Sequence, residues 1–348
     1  MIDISKYASN MEKLREDAKS FGYEPYPMCI RTYKNRVNSL LGNLKEFGER
    51  EIHIFLYDFD YEESGYDKYG WENMKNIHIH KINLEKDFFP KGWTRSTQSK
   101  LAYIQDTMTE LGIEKFQMFD DDLKMSVKMC NGKYITKSGS EAQKKIEIFL
   151  PDALQIEEYL LNNMENWGIA GFGGDMTTTF YNEDCIYKKN SLPTRIITVN
   201  NKVLNENKLH FTPEKKYHED MDMCIKVIQK GLISPLFLIL GIDTSVPSNV
   251  PNAAGTNTSE NNYQMVMYEK YRDYIRLNIA KNGNLNGNIV YKYVEKFPQG
   301  FSKPENEELY QACKDMNIDK VIEILKCSKS EYYELVKNFN EYSVKFNK

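Results

Sequence analysis

The chain has 348 residues, 41% hydrophobic and 13% aromatic, enough for one large α/β domain with additions or for two domains. Its formal net charge of −4 and pI near 5.9 exclude a protein that coats nucleic acid through bulk charge, while leaving room for a local basic groove. There is no apolar run long enough to span a membrane, the N-terminus is charged and lacks an apolar leader core, and six scattered cysteines form no CxxC pair, so a soluble, intracellular protein with reduced thiols is expected.

Residues Ile4–Phe21 read as a helical preamble, and Met28–Tyr33, after Pro25 and Pro27, as a first buried strand. Arg36–Phe47 has apolar residues at helical spacing (Val37, Leu40, Leu41, Leu44, Phe47). Ile52–Asp60 is a second strand and Ile77–Ile82 a third. A helix is predicted over Thr97–Leu111, followed by a fourth strand at Phe116–Phe119. Strands alternating with helices imply a mainly parallel sheet with ligands at the strands' carboxyl ends. The chemistry-bearing residues fall at such ends: Arg31 and Thr32, Asp58, and the consecutive Asp120, Asp121 and Asp122. Three adjacent carboxylates repel one another, and no fold needs them for stability. The competing readings are a solvated acidic turn and a divalent-cation site built from oxygen ligands, its shell completed by phosphates.

Six lysines follow this motif (Lys124, Lys128, Lys133, Lys137, Lys144, Lys145), and are read either as a phosphate-binding groove or as a solvated loop. A helix is predicted over Pro151–Asn166, then a strand and a glycine-rich turn, Gly171–Asp175. There Gly173 and Gly174 would admit close backbone approach to a ligand, with Asp175 at the tip. Tyr217–Gly231 reads as a helix opened by Glu219 and Asp220, and Leu236–Leu240 as a further strand. The polar, glycine- and proline-bearing Ser245–Asn262 is expected to be a lid, Tyr263–Ala280 helix-like, and Pro304–Lys348 helical. Trp71 and Trp93 are candidates for stacking on a base or sugar, with core packing favoured for Trp167. The expected organisation is a preamble (1–24), a catalytic core (25–245), a lid and acceptor-side segment (246–300) and a helical extension (301–348).

The ordered set CIRTYKNR, an acidic end to the second strand, FDDDL and HED resembles the GT-A nucleotide-sugar glycosyltransferases. These are α/β proteins with a Rossmann-like, mixed but mainly parallel sheet flanked by helices and a metal-binding aspartate motif. More narrowly, MFDDDL, IAGFGGDM, HEDMDM, and AAGTNTSENNY followed by YEKYRDYIRL resemble the phage glycosyltransferases associated with TET/J-binding-protein dioxygenases, over roughly residues 25–280. The resemblance implies a metal-dependent enzyme that moves a sugar from a nucleotide sugar, such as a UDP-sugar, to a hydroxymethylated pyrimidine in DNA, in the cytoplasm of an infected host cell. The alternatives are a transferase acting on protein or surface polysaccharide, and a non-catalytic binding module.

Such a reaction needs charge neutralised on a diphosphate leaving group. Mn²⁺ or Mg²⁺ on Asp120 and Asp122 would supply this, with Asp121 on the ribose or sugar, Arg31 and Thr32 at the nucleotide, Asp58 at the base, and Arg95 and Lys100 at the diphosphate or sugar. By the resemblance Asp220 is the first choice as general base, Glu219 the second and Asp175 the third. The acceptor would meet Lys128, Lys133, Lys137, Gly173 and Gly174. GT-A enzymes often add a downstream histidine to the metal shell. The chain has only His53, His78, His80, His210 and His218, none of them after the ED pair.

Overall fold

The computed structural model describes residues 6–7, 10–32, 40–64, 66–174, 186–214, 218–244, 266–268, 270–271, 274–279, 285–289, 319–320 and 323. In chain order the elements are α1 (Met11–Ser20), β1 (Met28–Arg31), β2 (Ile52–Tyr57), α2 (Asp58–Ser64), β3 (Ile77–Ile82), α3 (Thr97–Glu110), β4 (Lys115–Asp120), β5 (Leu123–Ile135), β6 (Glu141–Phe149), α4 (Leu150–Asn162), β7 (Ile169–Gly173), β8 (Tyr187–Lys188), β9 (Ile196–Asn200), α5 (Asn201–Glu206), α6 (Glu219–Gln229), β10 (Leu236–Thr244), β11 (Ile275–Ile279) and β12 (Leu285–Ile289).

The main sheet has the order β3-β2-β1-β4-β9-β7-β10-β5-β6, with β8 beside β10. β1 to β4 are mutually parallel, and β7 is parallel to β10. β9 runs against both β4 and β7, which turns β7 and β10 back into the direction of β1 to β4. The expected mixed α/β sheet with flanking helices is therefore present. The carboxyl ends of β1, β2, β4, β7 and β10 share one edge. Alternate side chains feed two cores, as a period of two requires. Met28, Ile30, Ile54 and Phe172 pack on the face covered by α1 and α4. Cys29, Phe55, Met118 and Val199 pack on the face covered by α3 and α6. None of the described helices is long and apolar enough to cross a membrane.

Local signals explain most elements. Asn10 caps α1 by accepting from the Lys13 N–H, and Ser96 caps α3 by accepting from the Ser99 N–H. Four expectations are corrected. The second strand stops at Tyr57, and Asp58–Asp60 open α2. Of the expected helix Arg36–Phe47, residues 36–39 lie outside the described set and Leu41–Phe47 is a 3-10 segment. The lysine run is a long hairpin, β5–β6, rather than a loop. Within the helix-like segment 263–280, Ile275–Ile279 is a strand paired with β12. The alternation Ile275, Leu277, Ile279 against Arg276 and Asn278 is a strand pattern that outweighs the neighbouring aromatics. The expected lid, Ser245–Asn262, and Asp175 lie outside the described residues, as does nearly all of 304–348.

A buried polar layer ties α4 to the sheet. Arg50 forms an ion pair with Glu158 and also donates to Gln117 Oε1 and the Tyr26 carbonyl. Glu157, fully buried, accepts from Gln117 Nε2 and Thr198 Oγ1, both at 2.9 Å, on one oxygen, while its other oxygen has no hydrogen-bond partner. Burial pushes this carboxyl up to about 8. Between its ordinary range and pH 8 the unfolded chain has released the proton that the folded chain keeps, so stability falls as pH rises through that window. Glu157→Gln keeps an acceptor and cannot ionise. It is expected to match the parent's Tm near pH 5 and to exceed it by several degrees near pH 8, measured by calorimetry across that range.

Candidate functional site

The site is assembled at the carboxyl ends of β1 and β4. Their parallel register sets Arg31 opposite Asp120, and Arg31 Nε donates to Asp120 Oδ1 in a close ion pair. Thr32 follows, its N–H bonded to the Phe55 carbonyl at 3.1 Å. Its hydroxyl donates to Asp121 Oδ2 at 2.6 Å and lies 3.0 Å from the Tyr66 hydroxyl. The aspartates therefore divide. Asp121 is drawn beneath the strand ends and is buried, the Asp120 side chain is 34% exposed, and Asp122 is half-buried in the turn into β5.

A second carboxylate pair meets this group from the far end of the sequence. Glu219 and Asp220 open α6, and Glu219 Oε1 lies 3.8 Å from Arg31 Nη1 while its other oxygen accepts from Gln98 Nε2 at 3.1 Å. One guanidinium thus spans the aspartate motif and the ED pair. His218 Nδ1 is 3.8 Å from Asp220 Oδ1, which also accepts the Met221 N–H. Burial raises both carboxyls above their ordinary range. Repulsion from Asp220 adds to this for Glu219, while Arg31 and His218 oppose it. Asp222, one residue beyond Met221, is committed elsewhere. Despite burial, Lys226 at 2.7 Å, together with Lys270 and Thr212, holds it below its ordinary range, and it also accepts from the Tyr271 hydroxyl at 2.6 Å. It thereby anchors residues 270–271 against the helix that carries the ED pair.

Asp58 directly follows the carboxyl end of β2 and opens α2. Its oxygens accept from the Phe59 N–H at 2.8 Å and Asn83 Nδ2 at 2.7 Å, so it serves the start of α2. The acid beside the site is Asp60, fully buried and 3.9 Å from Arg95 Nη2. Arg95 lies over the Tyr57 and Phe59 rings, 5.1 and 4.8 Å from their centroids. Lys100 is fully buried and donates to the Thr32 carbonyl at 2.9 Å. Burial pushes its ammonium down to about 7, against the pull of Asp60 and Asp121. Lys100 therefore supports the β1 end from below and is not an open contact for a diphosphate. Sequence reasoning passed over Asp60, Tyr66 and Gln98. The DFD spacing, which repeats an acid two residues after Asp58, was the only signal for the first.

The glycine-rich stretch is mostly strand. At Gly171 a Cβ would sit 1.9 Å from the Ile196 carbonyl oxygen, so this glycine serves the close passage of β7 past β9 rather than a ligand. Gly173 pairs with Gly241 of β10, and Gly174 follows at the sheet edge, where a Cβ would meet Arg195 and Asp243 only at ordinary contact distance. On the hairpin, Lys128 is ion-paired with Glu147, and Lys124 lies 4.0 Å from Asp243. Lys133, Lys137 and Lys144 are exposed, and Lys145 is half-buried. Trp71 is buried and stacked on Tyr69 and Tyr66, Trp93 is half-buried against Phe88, and Trp167 is buried with its N–H on the Leu161 carbonyl.

Among the described residues, two groups of three side chains bring possible ligand atoms within 4.8 Å of one another: His218 with Glu219 and Asp220, and Glu51 with His53 and His78. Asp120 and Asp122 are in neither group, though Arg31 links the first group to Asp120.

The sequence matches the model of one family, described as TET-Associated Glycosyltransferase, over residues 36–239. No curated protein sequence matches it. Solved structures to which the chain is similar include TarS 1-349 of S. aureus in complex with UDP-GlcNAc and GalNAc-T7 with UDP, GalNAc and Mn²⁺. The first is 10% identical, with 89% of this chain and 92% of that one covered and a TM-score of 0.48. The second is also 10% identical, with a TM-score of 0.42; 91% of this chain is covered, spanning 62% of the other.

Proposed function

The chain belongs to the TET-associated glycosyltransferase family, and from that premise we propose that it transfers a sugar from a nucleotide sugar, such as a UDP-sugar, to the hydroxymethyl group of a modified pyrimidine in phage DNA. The observation that carries this reading is the placement of Arg31 between Asp120 and Glu219. Two acidic motifs distant in sequence form one group, with Arg31 between them.

Transfer breaks the bond from the anomeric carbon to the diphosphate oxygen and forms one to the acceptor oxygen. The acceptor must lose a proton as it attacks. In an inverting reaction Asp220 takes that proton, and the same burial that raises its proton affinity makes it a stronger base near neutral pH. Glu219, oriented by Gln98 and Arg31, stands beside it. Arg31 and Arg95 attract the diphosphate, while Lys100 and Thr32 hold Asp121 and the β1 end in place.

Asp120 and Asp122 fit a Mn²⁺ or Mg²⁺ ion. They are the more accessible carboxylates of the motif, Asp121 being buried beneath the strand ends. Asp120 pairs with Arg31 through Oδ1 and keeps Oδ2 for an ion, and hard oxygen ligands suit both ions. Such an ion supplies Lewis-acid stabilisation of the leaving diphosphate. Chelator-sensitive release of UDP from a UDP-sugar, stimulated by duplex DNA containing hydroxymethylpyrimidine, tests the reading. Release that ignores both the chelator and the DNA would refute it.

Phosphate contacts would come from the β5–β6 hairpin. Lys133, Lys137 and Lys144, exposed on the hairpin, would meet the backbone. Reversing these three to Glu is expected to cut the slope of log affinity against log salt by about 2–3 and to spare donor hydrolysis. An unchanged slope would move the DNA to another face.

A further inference from the structure

The amino ends of β2 and β3, at the opposite edge of the sheet from the carboxylate site, carry a separate set of ligating side chains. The β2–β3 register sets His53 beside His78 and Phe55 beside His80. Parallel pairing stacks their rings, with centroids 4.8 Å apart for His53–His78, 5.1 Å for His53–His80 and 4.4 Å for Phe55–His80. The His53 side chain is only 2% exposed, so stacking and burial fix its orientation.

His53 Nε2 lies 3.1 Å from Glu51 Oε1, and His78 Nε2 lies 3.3 Å from the same oxygen. The three donor atoms fall within 4.8 Å of one another. On the far side of the His53 ring, Nδ1 is 2.9 Å from His80 Nε2. Two imidazole nitrogens and a carboxylate oxygen within 4.8 Å of one another match a zinc ligand set, which water would complete. The His80 contact is the outer hydrogen bond that a ligating histidine ordinarily has. We propose that Glu51, His53 and His78 form a zinc-binding site on the β2–β3 edge, with His80 as the positioning partner of His53. Glu51 and His78, with side chains 43% and 45% exposed, give the ion a way in.

The site is a staple rather than part of the reaction. β3 is the edge strand of the sheet, and a cation bound by residues flanking and within β2 and β3 holds that edge closed. Binding only to the folded state raises stability by mass action.

The test is titration of the chelator-stripped full chain with zinc chloride against a chromogenic chelator, in an Asp120→Asn/Asp122→Asn/Asp220→Asn background so that neither the aspartate motif nor the His218–Glu219–Asp220 group contributes. One zinc equivalent should bind and raise Tm. Glu51→Gln/His78→Ala should weaken binding at least tenfold and abolish the Tm shift. His80→Phe, which preserves stacking, should weaken it by about 10- to 100-fold. Both outer ligands are solvent-exposed, and circular dichroism of each variant checks that the fold is kept. Absence of bound zinc in the parent, or equal zinc affinity in Glu51→Gln/His78→Ala, would overturn the proposal.

Discussion

Asp220→Asn is expected to lower kcat by about 10²- to 10⁴-fold, the usual contribution of a positioned general base, with little change in KM for the nucleotide sugar. Asn preserves the acceptor for the Met221 N–H that Asp220 Oδ1 now holds, so the first turn of α6 survives. The pH profile gives a second signature. Burial raises the Asp220 carboxyl, and its neighbour Glu219 is raised by burial and by Asp220 itself. That repulsion is mutual, so Glu219→Gln should move the acidic limb of kcat/KM to lower pH while leaving substantial activity. Steady-state kinetics from pH 5 to 9 checks both. If Asp220→Asn retained full kcat, the proton would go elsewhere, as it would in a retaining reaction.

The second large effect is expected at the aspartate motif. Lewis-acid stabilisation of a leaving diphosphate is worth several kcal/mol, and each 1.36 kcal/mol is tenfold in rate, so Asp122→Asn should reduce turnover by about 10³-fold. Excess Mn²⁺ or Mg²⁺ should recover part of this, because the substitution weakens ion binding while Asp120 remains. Asp122 sits in the turn between β4 and β5 and is half-buried, so thermal stability should change little. Turnover that is unaffected by the substitution and by excess chelator would remove the metal from the account.

Much of this was legible because local patterns carry it. Short apolar runs bounded by turns mark β1 to β4, and FDDDL lies where β4 meets β5 because three adjacent carboxylates cannot be buried together. The β5–β6 hairpin was obscured by its charge. LKMSVKM alternates strictly, with Leu123, Val127 and Met129 buried, yet its lysines drew attention to the solvent face. β9 was missed because IITVN is a short continuous run, which periodicity alone assigns to neither strand nor helix. The Arg31 bridge could not be read at all. It depends on the β1–β4 register and on the docking of α6, both tertiary facts. Asp58 and Asp60 exchanged importance for a similar reason: the strand ended at Tyr57, three residues early, which committed Asp58 to the Phe59 N–H and Asn83 at the start of α2 and buried Asp60 beside Arg95.

Sugar transfer to a hydroxymethylated pyrimidine in DNA can be read directly from the product. Duplex DNA containing hydroxymethylpyrimidine should be incubated with the full chain, Mn²⁺ or Mg²⁺ and a panel of nucleotide sugars, then digested and its nucleosides weighed by mass spectrometry. The account predicts that one donor adds a single hexose or pentose mass to the hydroxymethylated nucleoside, and that Asp122→Asn and Asp220→Asn do not produce it. DNA that gains no sugar mass from any donor, while the same enzyme glycosylates a protein or polysaccharide acceptor, would contradict it.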